Sequence, residues 1–84
     1  MPRFIDVHHH LEEGMTPERL TELHEFDLAI QDKHGVRFLK YWYDPATGKA
    51  FCLSEAPDRE SVLAVHREAH GFTSDEIFEV FEGE

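Results

Sequence analysis

Apolar residues recur along the chain at two spacings, and the changes between them mark six elements of secondary structure. Leu20, Leu23, Phe26 and Ile30 follow the spacing of one helix face, and Thr16 precedes them as an N-cap. Short runs rich in aromatic and β-branched residues, bounded by turn residues, predict strands. The predicted elements are strands at 3–9, 36–43, 50–55 and 76–81, and helices that start after Thr16 and Asp58 and stop at Gly35 and Gly71.

The order of these elements is strand, helix, strand, strand, helix, strand. This is the split βαβ pattern of ferredoxin-like folds. Two right-handed crossovers place both helices on one face of a four-stranded antiparallel sheet. We therefore predict an α+β fold, a ferredoxin-like βαββαβ sandwich that forms a single metal-binding domain over residues 1–84.

The second predicted strand carries large apolar residues at both alternating positions. One parity holds Val36, Phe38 and Trp42, and the other begins with Leu39 and continues with two tyrosines. The helices can cover only one face of the sheet, so the second face is left exposed and apolar. Packing two copies face to face would cover it, and we therefore expect a homodimer.

The strand directions bring distant histidines to one end of the sheet. If the first strand runs upward, it ends at the top with His8, His9 and His10. The second predicted helix also ends at the top, and it carries His66 and His70 one turn apart. Residues four apart lie on the same helix face, where two imidazoles can bind one ion.

A carboxylate lies close to this histidine cluster in the sequence. Along the first strand Asp6, His8 and His10 share one face, and His9 faces the other way. Asp6 is either a direct ligand or a carboxylate that holds an imidazole in the right tautomer. Neutral imidazoles together with a carboxylate suit a divalent transition metal. The candidate ligands are His8, His66, His70, Asp6, His10 and His9.

Four further residues with polar or sulfur-containing side chains are not among these candidate ligands. His24 and Asp27 form a separate polar set on the first helix, where His24 is interpreted as a packing residue and Asp27 as a partly buried carboxylate that needs a partner. Cys52 is either a small core residue or a ligand, and we expect no sulfur-to-metal charge-transfer band from it. His34 stands near a helix C-terminus, which favours a cation there, so we do not assign it to the site.

Composition narrows the class of partner. The 84 residues hold 8 Lys and Arg against 18 Asp and Glu, a formal charge of −10, which disfavours nucleic acid and anionic membrane surfaces and favours cations. The single cysteine allows no intrachain disulfide. With no pattern of a signal peptide and no apolar run long enough for a membrane span, we expect a cytoplasmic protein.

Several stretches of the chain resemble a bacterial family that is catalogued as a domain of unknown function, one member of which is described as a nickel-binding protein. The matching stretches are FIDVH at 4–8, DLAIQ at 27–31, KYW at 40–42, CLSEAP at 52–57 and VHREAHG at 65–71. The resemblance implies a ferredoxin-like fold, a homodimer and nickel binding. The family pattern is tight at Asp6, His8, His66 and His70 and looser at His9 and His10.

Three functions follow as hypotheses, and the last of them is a regulatory or interaction module whose histidines are pH-sensitive surface groups. The first is a protein, and not an enzyme, that binds Ni²⁺, or zinc or copper in its place, for metal storage, delivery or sensing. The second is a small dimeric enzyme with an organic substrate between sheet and helices, in which His66 would act with Asp6 or Cys52 as acid–base or nucleophilic partner. In the first case metal affinity should fall as the pH drops through about 6.5, the ordinary pKa of histidine.

Overall fold

The computed structural model describes residues 1–83 and contains the predicted order of strands and helices. A short 3₁₀ turn, Gln31–His34, follows the first helix. The elements are β1 (Arg3–His8), α1 (Pro17–Ile30), β2 (Arg37–Asp44), β3 (Lys49–Glu55), α2 (Arg59–Ala69) and β4 (Glu76–Val80). The first strand thus ends one residue earlier than predicted, and α1 gives way to the 3₁₀ turn before Gly35 is reached.

Both helices begin with the local signals that the sequence predicts, and α2 also ends with its predicted signal. The Thr16 side chain accepts a hydrogen bond from the amide of Arg19 at 3.1 Å, and Asp58 accepts one from the amide of Ser61 at 2.8 Å. Gly71 follows α2 with a positive φ of 83°, and its amide bonds to a carbonyl of the last turn.

The four strands form one antiparallel sheet in the order β2-β3-β1-β4. One face of the sheet packs against the helices, and its apolar core lies beneath α2. This core is formed by Phe4, Val36, Phe38, Cys52, Ala56, Val62 and Val65. The ferredoxin-like fold predicted from the order of elements is therefore confirmed.

A bulge in β2 changes the assignment of its faces. Phe38 pairs with Ser54 and Lys40 pairs with Leu53, so Leu39 is an additional residue that shifts the register by one. Beyond the bulge Tyr41 faces the helices, and so does Tyr43 two residues later. The prediction that the tyrosines and Phe38 lie on opposite faces is therefore wrong, because strict alternation cannot account for an inserted residue.

The face of the sheet away from the helices is apolar and partly exposed. Trp42 of β2 lies opposite Phe51 on this face and is 48% exposed, and Phe78 of β4 is 49% exposed. Ile5 and Leu53 lie between them in the central strands and are half-buried. We call this surface the outer sheet face (Ile5, Trp42, Phe51, Leu53, Phe78 and Val80).

None of the helices within residues 1–83 combines the length and apolar character that crossing a membrane requires.

Candidate metal centre

Asp6 lies at the centre of a buried polar cluster between the sheet and the helices. Its position in β1 points it toward the helices, and its side chain is 0% exposed. Its Oδ1 accepts hydrogen bonds from His8 Nε2 at 3.0 Å, from His66 Nε2 at 3.1 Å and from Ser74 Oγ at 2.9 Å. Its Oδ2 is buried and has no hydrogen-bond partner among the described residues, so one carboxylate oxygen remains open to a further ligand.

His66 joins this carboxylate to a second one. Its ring is 1% exposed, and its Nδ1 donates to Asp27 Oδ1 at 3.0 Å while its Nε2 donates to Asp6. Asp27 comes from α1, His66 from α2 and Asp6 from β1. A single imidazole on α2 therefore connects this helix with both β1 and α1.

His70 completes the helix side of the cluster. Its Nε2 donates to Asp27 with 3.1 Å to Oδ1 and 3.2 Å to Oδ2, and its Nδ1 accepts the amide hydrogen of Phe72 at 3.1 Å. The amide fixes the tautomer, since a nitrogen that accepts a hydrogen bond carries no proton. Nε2 is thus held facing the carboxylate.

Cys52 of β3 enters the cluster through the sheet register, in which it pairs with Asp6. Its side chain is buried, and it is the chain's free thiol. Ligand atoms of Asp6, His8, Cys52 and His66 all lie within 4.8 Å of one another, and we call them the strand donor set. Ligand atoms of Asp27, His66 and His70 are equally close, and we call them the helix donor set.

The hydrogen bonds outweigh burial in setting the charges of the cluster. Burial alone would raise the pKa of Asp6, but its bonds to His66 and His8 hold that pKa well below the ordinary 3.8. Burial would lower the pKa of His8, yet the bonds to Asp6 and Cys52 raise that pKa to about 9. The pKa of His66 is raised well above 6.5 against the same opposing burial, by Asp27 and Asp6. Without metal the raised pKa values favour protonated rings at His8 and His66, paired with the carboxylates of Asp6 and Asp27.

A small cavity adjoins both donor sets. Its volume is about 20 Å³, which is room for about one water molecule or one metal ion. The lining includes His8 and His24, and the Nδ1 atom of each is buried without a hydrogen-bond partner in residues 1–83. Leucines of α1 and the ring of Tyr41 form the apolar part of the wall.

The structure separates the six predicted ligands into two groups. Asp6, His8, His66 and His70 come together in the cluster. The ring of His9 lies on the other side of β1, where its Nε2 is 2.6 Å from Glu76 Oε2. His10 follows the end of β1 and is exposed, so it does not share the face of Asp6 and His8.

Two residues of the cluster were not assigned to it from the sequence. Asp27 was placed in a separate set with His24, but it bonds to His66 and His70 instead, because α1 and α2 pack side by side. Its position within the apolar stripe of α1 had already indicated a partly buried carboxylate that needs a partner. Nothing in the sequence indicated that Ser74, in the segment before β4, would join the cluster. His24 itself packs against Tyr41, with ring centroids 4.4 Å apart.

The chemistry of the strand donor set fits a transition metal. Two imidazoles, a carboxylate and a thiol supply four donors, which is the number of a closed tetrahedral site. Imidazole suits nickel, zinc, copper and iron, and the thiolate favours the softer of these ions over magnesium or calcium. The open Oδ2 of Asp6 and the unpartnered Nδ1 of His8 are atoms that such an ion would satisfy.

Comparison with known proteins identifies the class of protein. Residues 4–80 match the family described as "Nickel responsive protein SCO4226-like", and the chain belongs to this family. The resemblance noted from the sequence is thereby confirmed. No curated protein gives a significant match.

A solved structure of the same family resembles the chain over its whole length. This is the crystal structure of SCO4226 from Streptomyces coelicolor A3(2), which is 41% identical in sequence. The match covers 98% of this chain and 99% of that chain, with a TM-score of 0.89.

The charge network predicts how stability depends on pH without metal. The pKa of His8 rises on folding from 6.5 to about 9. Its contribution to the free energy of unfolding is therefore complete below pH 6.5 and is lost as the pH rises through about 9. The pKa of Asp6 is depressed on folding. Its contribution to the free energy of unfolding is therefore present above pH 3.8 and is lost as the pH falls below that value. We expect the melting temperature in chelator to be highest between about pH 4.5 and 6.5 and to fall by several degrees by pH 9.

Circular dichroism melts across this range check the prediction, and His8→Asn should flatten the alkaline decline. His9→Asn is the matched control, because its ring lies on the other side of β1 and should leave the decline intact. A wild-type melting temperature that stays level or rises between pH 6.5 and 9 would contradict the assignment.

Proposed function

We propose that the protein binds a divalent transition metal, nickel first of all, at the buried end of its sheet. The observation that carries the proposal is the strand donor set, in which four donors from β1, β3 and α2 lie within 4.8 Å of one another. The preference for nickel over zinc or copper is supported by the family's description as nickel responsive. The binding serves storage, delivery or sensing of the metal in the cytoplasm.

The size of the cavity favours metal binding over catalysis. A volume of about 20 Å³ admits a single ion or water molecule but no organic substrate. The buried imidazoles are held by carboxylates at 3.0 to 3.1 Å, an arrangement that orients metal ligands. We therefore propose a binding protein and not an enzyme.

The protein is also proposed to act as a homodimer. The outer sheet face presents Trp42 and Phe78, each about half exposed, across all four strands of the sheet. A second copy related by a two-fold axis would bring the same apolar surface against it. Burying these side chains would also add stability to a small domain, whose own core is limited.

Nickel should raise the melting temperature of the untagged protein by several degrees at pH 7.5. A ligand that binds only the folded state stabilises it by RT ln(1 + [L]/Kd), about 2.7 kcal/mol at a hundredfold excess over Kd. Protons compete for the imidazoles, so the shift should be much smaller at pH 5.5. Because the pKa of His8 lies near 9, the affinity should keep rising above pH 6.5, beyond the range expected from ordinary histidines.

Calorimetry with variants then locates the site. Asp6→Asn and His8→Asn should each weaken nickel binding by at least tenfold, and both variants keep a polar side chain. His34→Ala should bind like the wild type, because His34 lies beside Glu68, outside both donor sets. Unchanged affinity in Asp6→Asn and His8→Asn would exclude the strand donor set as the nickel site.

Because Cys52 belongs to the strand donor set, we propose that it acts as a ligand, contrary to the expectation from the sequence alone. A thiolate bound to Ni²⁺ produces a sulfur-to-metal charge-transfer band in the near ultraviolet. The band should appear on titration of the wild type and be absent from Cys52→Ser, which keeps the small side chain but loses the sulfur. A nickel-loaded wild type without the band would leave Cys52 as a core residue only.

The dimer prediction depends on the outer sheet face. Sedimentation at micromolar concentration should give a dimer for the wild type and a monomer for Trp42→Glu, since a charge there would be buried in the interface. Leu28→Glu is the matched control, because Leu28 is an exposed residue of α1 on the opposite side of the protein. A monomeric wild type, or a Trp42→Glu variant that remains dimeric, would contradict the proposed face.

A further inference from the structure

We infer that Cys52 is a site of oxidative modification, at which hydrogen peroxide converts the thiol to a sulfenic acid inside the small cavity. The reaction belongs to the metal-free protein, so the inference goes beyond the proposed metal binding and does not depend on it. Its support is the place of the thiol in the cavity wall, an open ring nitrogen beside it, and a chain with no second cysteine.

The Cys52 thiol can be reached from the cavity but is shielded from larger molecules. Cys52 is 7% exposed and forms part of the cavity wall, on the helix side of the sheet. The volume of about 20 Å³ exceeds the roughly 10–15 Å³ that one water molecule requires. Leu11, His24 and His70 are partly exposed members of the lining, and the cavity is not fully enclosed. A molecule of two linked oxygen atoms can therefore reach the sulfur, whereas a branched organic peroxide is too large.

An open ring nitrogen of His8 lies beside the sulfur. His8 is 3% exposed and lines the same cavity, and its Nδ1 has no hydrogen-bond partner among residues 1–83. The other nitrogen, Nε2, donates to Asp6 at 3.0 Å, which holds the ring in its orientation. A buried polar atom without a partner marks a place for a further hydrogen-bonding molecule. Hydrogen peroxide both donates and accepts hydrogen bonds, so it can occupy this place next to Cys52.

The oxidation balances with hydrogen peroxide as its only oxidant. Sγ attacks one peroxide oxygen, a sulfur–oxygen bond forms and the oxygen–oxygen bond breaks, so the sulfur loses two electrons and the peroxide gains them. The leaving oxygen takes a proton from Nδ1 of His8, and the ring regains a proton from the thiol. The products are a sulfenic acid and water. Sγ lies within 4.8 Å of a ring nitrogen of His8 and of His66, so the ring that exchanges these protons is close to the sulfur.

The sulfenic acid is expected to persist in the folded protein. A sulfenic acid commonly condenses with a nearby thiol to form a disulfide. Cys52 is the single cysteine of the chain, and its burial keeps the thiols of other large molecules away. The product should therefore last long enough to be trapped when the oxidised protein is unfolded.

The competing explanation is oxidation through transient unfolding, which exposes any buried thiol. An opened chain presents Cys52 to oxidants of every size, so the rate would not depend on whether the oxidant fits the cavity. Oxidation inside the folded protein would favour the smallest peroxide. Hydrogen peroxide and tert-butyl hydroperoxide therefore separate the two explanations.

Untagged wild-type protein in chelator is treated with either peroxide for increasing times and then desalted. It is unfolded in guanidinium chloride with dimedone, which labels sulfenic acids, and mass spectrometry of the peptide that contains Cys52 measures its oxidation. The ratio of the rate with hydrogen peroxide to the rate with tert-butyl hydroperoxide should be at least about tenfold higher for folded than for unfolded protein. Equal ratios, or no oxidation of Cys52 in folded protein, would overturn the inference.

Variants test the role of the open ring nitrogen. His8→Asn removes the group that supplies the proton, so oxidation by hydrogen peroxide should slow by at least about tenfold. His8→Gln should do the same and guards against a folding defect particular to the first variant, and circular dichroism confirms that each is folded. His9→Asn is the matched control, because its ring lies on the other side of β1, and it should react like the wild type.

Folded His8→Asn and His8→Gln proteins that are both oxidised as fast as the wild type would also overturn the inference. Because the size preference is measured on the wild type, the inference stays testable even where both variants are unstable. Cys52→Ser should give no labelled peptide, which confirms that the sulfur of Cys52 is the group oxidised.

Discussion

A fully buried carboxylate in the middle of a sheet must be compensated by its neighbours, and Asp6 is such a group. Its Oδ1 collects hydrogen bonds from β1 itself, from α2 and from the segment that precedes β4. Loss of both histidine donors would leave this carboxylate without a cationic partner in the interior, a cost of several kcal/mol. The position of α2 over the sheet and the path of the chain into β4 are therefore tied to this one side chain.

The same network extends to α1 through His66 and Asp27. Apolar packing and charge thus divide the space between sheet and helices, with Phe4, Val62 and Val65 in the core and the polar cluster beside it. In metal-free protein the imidazoles carry protons that hold the carboxylates in place. Because a divalent ion can replace those protons without adding net charge, the groups that stabilise the fold are also suited to bind metal.

The two faces of the sheet have different roles, and the bulge in β2 sets the difference. By moving Tyr41 and Tyr43 to the helix side, it provides the apolar wall of the cavity and leaves Trp42 on the outer sheet face. Without the additional residue the tyrosines would face outward, and the cavity would lose part of its lining. One inserted residue therefore affects both the candidate site and the surface proposed for dimerisation.

The sequence by itself determined the order of elements, the helix caps and the end of the sheet where the chemistry lies. These follow from local spacing and from strand direction, so Asp6, His8, His66 and His70 could be placed together without coordinates. The bulge could not be foreseen, because an additional residue is stabilised by contacts with neighbouring strands and not by its own local pattern.

Only the tertiary structure decided which further residues join the cluster and which leave it. Asp27 reaches His66 through the packing of α1 against α2, and Cys52 reaches Asp6 through the pairing of β3 with β1. His10 is excluded because β1 ends at His8. Each outcome depends on how two elements meet or where their pairing stops, and that is set by the packing of the whole domain rather than by spacing within one segment.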